Sequence, residues 1–214
     1  MTCASDEPIR LSLSEIDALG RKAARGTGCF WGLAEEAGKS ARWLAGYGLA
    51  GPEALAALFT APRRCGCTSD SAAPLCPIAA GADLSDSAEE IADGTDMRLG
   101  DVAEPLLLLA QASRSAHALK VILTLRWSGF CATCFPSGLS IENGDGMNDA
   151  VGRYVVCSNK NAVTEEADLQ AGAASRLVSR SAYETLSRLA SKTYAPATDA
   201  SRNSGAGAGT RDND

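Results

Sequence analysis

Apolar positions near the start of the chain recur with a helical period. Ser12 and Glu15 have the spacing of a capping box, in which the serine side chain satisfies one free amide and the glutamate reaches back to another. Leu11 and Ile16 take the flanking positions of a hydrophobic staple. These signals predict a helix from Ser12 to about Arg25, stopped in Gly26-Thr27-Gly28. Phe30, Ala34, Ala37, Ala41 and Leu44 then share one face of a second helix, about 30–45, whose small residues let a neighbouring backbone come close. Gly46 and Gly48 end it. Pro52, after Gly51, opens a short third helix through Leu55, Leu58 and Phe59, and Pro62 closes this part.

Farther on, the period changes. The stretch 63–81 holds Pro, Gly, Ser and three cysteines and reads as a loop, followed by a short helix around 87–92 with capping-box spacing from Ser87 to Glu90. Leu119, Val121, Leu123, Leu125 and Trp127 alternate with Lys120, Ile122, Thr124 and Arg126, the pattern of a strand with one dry face. Leu106–Leu109, with Pro105 at its start, reads as its partner strand. Ser137–Glu142 and Arg153–Ser158 are further strands, with Asn143-Gly144-Asp145-Gly146 as hairpin punctuation between them. Ser181 and Glu184 predict the cap of a last helix through Tyr183, Leu186 and Leu189. The expected fold is α+β: three N-terminal helices packed on a mostly antiparallel sheet, with a C-terminal helix. It forms one domain over residues 1–195, divided into a helical part (12–62), a loop-rich acidic connector (63–104), and the sheet with the last helix (105–195). Residues 196–214 form a Gly/Ala-rich tail with too little apolar surface to offset its ordering entropy.

Charge sharpens the picture. The 214 residues carry a net charge of −6, and between Asp83 and Glu104 stand eight acids against one base, Arg98. An acidic chain without a basic stripe argues against a nucleic-acid partner. The acidic segment reads as a solvated connector, or else as a docking surface for a basic protein. The N-terminus lacks the apolar stretch of a secretory signal, and the longest apolar run is too short for a membrane span, so no membrane partner is expected. Eight cysteines without an export signal point to reduced thiols in the cytoplasm.

Candidate chemistry is sparse. Cys131-Ala132-Thr133-Cys134 has the spacing of a zinc knuckle or redox pair, and Cys65 and Cys67 add thiols. A second matching pair is missing, so these four are weak metal candidates. His117, the only histidine, is the one imidazole available as a base. Gly26-Thr27-Gly28 lacks the preceding strand of a dinucleotide loop and reads as a helix-to-helix turn. Along the second helix Trp31, Glu35, Lys39 and Arg42 run down one side with Glu36 and Trp43 adjacent, while Lys120 and Arg126 share a face of the predicted strand. If helix and sheet pack together, Trp31, Lys39, Arg42, Lys120 and Arg126 could bind a small anionic metabolite, with Glu35, Glu36 or His117 as acid or base.

The segment GTGCFWGLAEEAGKSARWLAGYG, Gly26 to Gly48, taken with the ending around Gly205-Ala-Gly-Ala-Gly209, is similar to a bacterial domain-of-unknown-function family of about 210–225 residues. That resemblance implies a small soluble bacterial protein. It carries over no catalytic residue and no cofactor, and it suggests that the glycine-rich tail is a family feature. Three functions stay open: a small-molecule enzyme, or its accessory protein, acting on a small carboxylate or amide; a non-enzymatic module binding a protein through 83–104 or the tail; and a cysteine-bound zinc module.

Overall fold

A computed structural model describes residues 7–61, 73–160, 168 and 171–194. Cys65, Cys67 and the tail 196–214 lie outside the described residues. The elements run β1 (Ile9–Ser12), α1 (Leu13–Thr27), α2 (Trp31–Gly46), α3 (Gly51–Thr60), α4 (Pro77–Asp86), α5 (Ala88–Ala92), β2 (Met97–Ala103), α6 (Leu106–Leu119), β3 (Leu123–Trp127), β4 (Phe130–Phe135), β5 (Gly138–Asn143), β6 (Val151–Asn159), β7 (Ser175–Val178), α7 (Arg180–Ala190) and the 3-10 turn η1 (Ser191–Thr193). The fold is α+β, with antiparallel sheets, N-terminal helices and a C-terminal helix.

α1 begins as its sequence signals predict. The Ser12 hydroxyl accepts the Glu15 amide at 3.2 Å, and the Glu15 carboxylate accepts the Ser12 amide at 2.8 Å. Gly28 ends the helix at φ 98, a left-handed turn that only glycine adopts without strain. Ser12→Ala is expected to cost about 1 kcal/mol, lowering the melting temperature by roughly 2–4 °C in a thermal scan.

α1 and α2 lie very close together. An added Cβ on Gly38 of α2 would stand 2.6 Å from the Asp17 carbonyl of α1, and one on Gly20 would stand 3.2 Å from the Gly38 Cα. α2 packs next on α6, and α6 lies on β3 and β4. Ala34, Ala37, Ala41 and Leu44 are buried as their spacing predicts, but Phe30 stands 72% exposed before the first turn of α2. The small-residue face of α2 thus serves helix-to-helix packing, and α6 carries the contact with the sheet.

The five-stranded sheet has the order β2-β6-β3-β4-β5, antiparallel throughout. Leu123, Leu125 and Trp127 face the core with their cross-strand partners Cys134, Ala132 and Phe130. β1 and β7 form a separate antiparallel ribbon pairing Ile9 with Val178 and Ser12 with Ser175. No helix among the described residues is long and apolar enough to cross a membrane.

Several expectations need correction. Leu106–Leu109 is the first turn of α6, not a strand. Leu106 through Ala112 are buried on every side, and a helix without a wet face loses the periodicity that would distinguish it from a buried strand. The alternation read from Leu119 therefore starts only at Leu123, because Leu119 ends α6 and Lys120 caps it at φ 57. β5 and β6 flank Asn143–Gly146 but do not pair with each other. Instead the loop folds back on the β3–β4 turn, where the Gly146 amide donates to the Gly129 carbonyl at 2.6 Å. Much of the stretch read as loop and connector is ordered as α4, α5 and β2. α5 forms where expected, without a side-chain cap from Ser87. In α7 the capping hydroxyl belongs to Ser179, which accepts the Ala182 amide at 3.3 Å, two residues before the predicted Ser181.

Candidate functional site

The residues singled out in the sequence separate into three places. The first is a groove between α2 and α6, made of two adjoining cavities of about 610 and 330 Å³. Both are lined by Trp43, Arg114 and Ala171; the larger adds Tyr47, His117 and Pro136, and the smaller adds Lys39 and Arg42. Trp43 and Tyr47 lie one helical turn apart on α2 and form a wall, their ring centroids 4.3 Å apart. Burial, with the Cys134 thiol nearby, pushes the Tyr47 hydroxyl above its ordinary range, so it stays a hydrogen-bond donor.

Glu36 organises this groove. Its carboxylate accepts from the Arg114 guanidinium at 2.7 Å, from Lys39 Nζ at 2.8 Å and from the buried Gln111 amide at 2.9 Å. Burial works to raise its pKa, but the bonds from Arg114, Lys39 and Gln111 outweigh it and hold the group at about 2. At neutral pH Glu36 is therefore an anion, unsuited to donate a proton as an acid, and its bond positions Arg114. Glu35 is exposed, 3.9 Å from Lys39, which bonds Glu36 instead.

His117 projects from the last turn of α6, about one helical turn beyond Arg114. Its Nδ1 lies 2.7 Å from the Pro136 carbonyl, an acceptor only, so Nδ1 carries the proton. In the neutral ring Nε2 is then the acceptor, because the Pro136 carbonyl fixes the tautomer.

Lys120 and Arg126 do not join this groove. Lys120 is exposed at the end of α6, and Arg126 lies on the outer face of the sheet opposite Cys131. On that outer face Glu142 accepts from Lys160 Nζ at 2.9 Å and from the Thr133 hydroxyl at 2.5 Å, with the Cys131 thiol 3.6 Å away. Burial and then the Glu142 carboxylate raise the Cys131 pKa, which keeps the sulfur a thiol.

The paired cysteines cannot share an ion. Cys131 and Cys134 are three residues apart in a strand, so their side chains leave opposite faces of the sheet. Cys134 is wholly buried on the core face, where burial raises its pKa strongly. Among the described residues no group of three His, Cys, Asp or Glu could hold a metal. Cys131, Cys134 and Cys157 are free thiols, whereas Cys76 is disulfide-bonded, which corrects the expectation of thiols throughout.

The third place receives Trp31. It stands 67% exposed at the start of α2, under the Arg25 guanidinium 4.5 Å from the ring centroid. Eleven residues of helix, roughly 16 Å, separate it from Arg42.

Spacing places Trp43 beside Lys39 and Arg42, whereas Arg114, Gln111 and Tyr47 were not foreseen. Arg114 and His117 are three residues apart, a spacing that places them on one helical face once α6 is recognised as a helix. Glu104 was seen only as one acid among eight. It turns the chain from β2 into α6 at φ 42, and its half-buried carboxyl lines a cavity of about 210 Å³ with Glu53 and Met147. Burial raises its pKa to about 7.

No curated protein and no solved structure matches the chain. The model of a family described as "protein of unknown function (DUF3726)" matches residues 11–92. The stretch from α1 to α5 is thus similar to a domain of unknown function, in keeping with the resemblance carried by Gly26–Gly48.

Proposed function

We propose that the protein binds a small carboxylate in the groove between α2 and α6, as a small-molecule enzyme or the accessory protein of one. Arg114 is the anion anchor, Lys39 and Arg42 supply further positive charge, and His117 is the group able to move a proton. The observation that carries this reading is the Glu36 network. A carboxylate, itself fixed by a buried amide, holds a guanidinium beside a cavity with an aromatic wall, and an oriented guanidinium can take a carboxylate in two parallel bonds. The Tyr47 hydroxyl and the Ser113 and Ser137 side chains give an amide or a second carboxylate its hydrogen-bond partners. The resemblance carried by Gly26–Gly48 supports a bacterial source, with the thiols of Cys131, Cys134 and Cys157 weighing toward the cytoplasm and the disulfide at Cys76 against it.

A thermal-shift panel of small mono- and dicarboxylates and their amides tests the reading. At ten times its dissociation constant a true ligand stabilises by about 1.4 kcal/mol, or roughly 3–6 °C in melting temperature. Arg114→Ala is expected to abolish the shift, and His117→Gln to keep binding while removing any turnover. A shift that survives Arg114→Ala unchanged, or a panel without a ligand, rejects the site.

A second reading, docking of a basic protein, is favoured by one observation. Asp83, Asp86, Glu89, Glu90 and Asp93 all remain exposed on α4, α5 and the turn after them, although the segment is folded.

A further inference from the structure

At the end of α1 remote from its cap lies a cleft of about 550 Å³, lined by Arg21, Lys22 and Arg25 of α1, Trp31 of α2, and Lys192 and Tyr194 at η1. η1, the last described element, packs against α1 here. Four cations line the cleft and no acid does, on a chain whose net charge is −6. Among the described residues none of the four forms an ion pair. Arg25 donates to the Cys29 carbonyl and covers the Trp31 ring, and Lys22 lies 5.3 Å from the centre of the Tyr194 ring. Trp31 and Tyr194 are 67% and 60% exposed. Large aromatics left this open beside uncompensated charge are costly unless something uses them.

We propose that this cleft binds an organic phosphate built on a flat ring, of mononucleotide size. Each part of that description has its own warrant. Four cations exceed what one carboxylate can neutralise and suit the nearly doubly charged phosphate of a monoester, which arginine forks grip in parallel pairs of bonds. The two aromatic side chains offer surface to a flat, apolar ring and nothing to inorganic phosphate. The volume lies in the range of small-molecule sites. The cations converge on one cleft rather than running as a stripe, which favours a small ligand over a nucleic-acid strand. The cleft shares no lining residue with the groove between α2 and α6, so this inference stands or falls independently of that one.

Calorimetry on the full chain tests it with AMP, GMP and FMN as probes, against adenosine, inorganic phosphate and a ten-nucleotide single strand. At least one flat-ring phosphate is expected to bind saturably, at least tenfold tighter than either adenosine or inorganic phosphate. Lys22→Ala with Lys192→Ala should weaken it by about tenfold or more and flatten its salt dependence. Trp31→Ala should weaken it as well, while Arg114→Ala, in the other groove, leaves it unchanged. All these side chains except Arg114 lie at the open cleft, and a second lysine pair, Lys22→Gln with Lys192→Gln, replaces the alanine pair if that one does not fold. The proposal is overturned if none of the three probes binds. It is overturned equally if inorganic phosphate binds as tightly as the best probe, leaving charge as the only determinant, or if the single strand binds more tightly than every mononucleotide.

Discussion

Gly38→Ala is expected to lower stability by about 3 kcal/mol, equivalent to roughly 6–12 °C in melting temperature for a chain of this size. The reason is a contact with backbone. The new methyl would meet the Asp17 carbonyl and its side-chain oxygen at 2.6 Å, and the Arg21 Cβ at 3.2 Å. A flexible side chain could swing aside, but a carbonyl inside α1 moves only with its helix, and moving α1 opens its packing with both α2 and α7. Gly32→Ala in the same helix is the control. Its methyl meets nothing within 4 Å, so the gain in helix propensity should stabilise by up to about 1 kcal/mol. Equal effects of the two substitutions in chemical unfolding would show that the close approach of α1 and α2 is absent in solution.

The second large effect concerns pH, and it comes from two glutamates whose environments pull in opposite directions. Glu36 is held at about 2 against an ordinary value of 4.5, because the hydrogen bonds from Arg114, Lys39 and Gln111 outweigh the cost of its burial. Its contribution is complete above pH 4.5 and is lost as the pH falls toward 2. Glu104 is raised to about 7 by burial. Between pH 4.5 and 7 the folded chain keeps that proton while the unfolded chain releases it, so stability falls across this window and levels off above it. Each effect amounts to about 2 kcal/mol after allowance for solvent screening of half-exposed groups. Together they place greatest stability near pH 4.5 to 5. Denaturant unfolding at about pH 3, 5 and 8 measures both limbs. Glu104→Gln should remove most of the decline above pH 5, and Glu36→Gln most of the decline below it. Wild-type stability that rises from pH 5 to 8 would contradict the assignment of Glu104.

Legibility in the sequence followed the physics of each element. α1 could be read to the residue at its start and to within two residues at its end, because a capping box and a left-handed glycine are local and chemically specific. α2 was legible from its alanine face, although which element that face covers depends on distant packing. α6 was misread because it is the most deeply buried helix, and burial on all sides erases the polar stripe. That single error also hid Arg114 and detached His117 from a helical face, and so the groove could not be assembled from spacing. The ribbon of β1 and β7 is four residues long on each side, too short for alternation to stand out, and its pairing spans most of the chain. Cys131 and Cys134 show the converse. Their spacing suggests a shared site only for a chain that turns between them, and in an extended strand the same spacing divides them.

The ribbon has a consequence for how the protein is made. Ile9, among the first described residues to leave the ribosome, finds its partner Val178 only when nearly all of the described chain has been synthesised. α7, which covers α1 beside Gly26, arrives later still. The nascent N-terminal helices thus wait with one flank uncovered, and a pause late in translation would prolong the interval in which a chaperone can hold them.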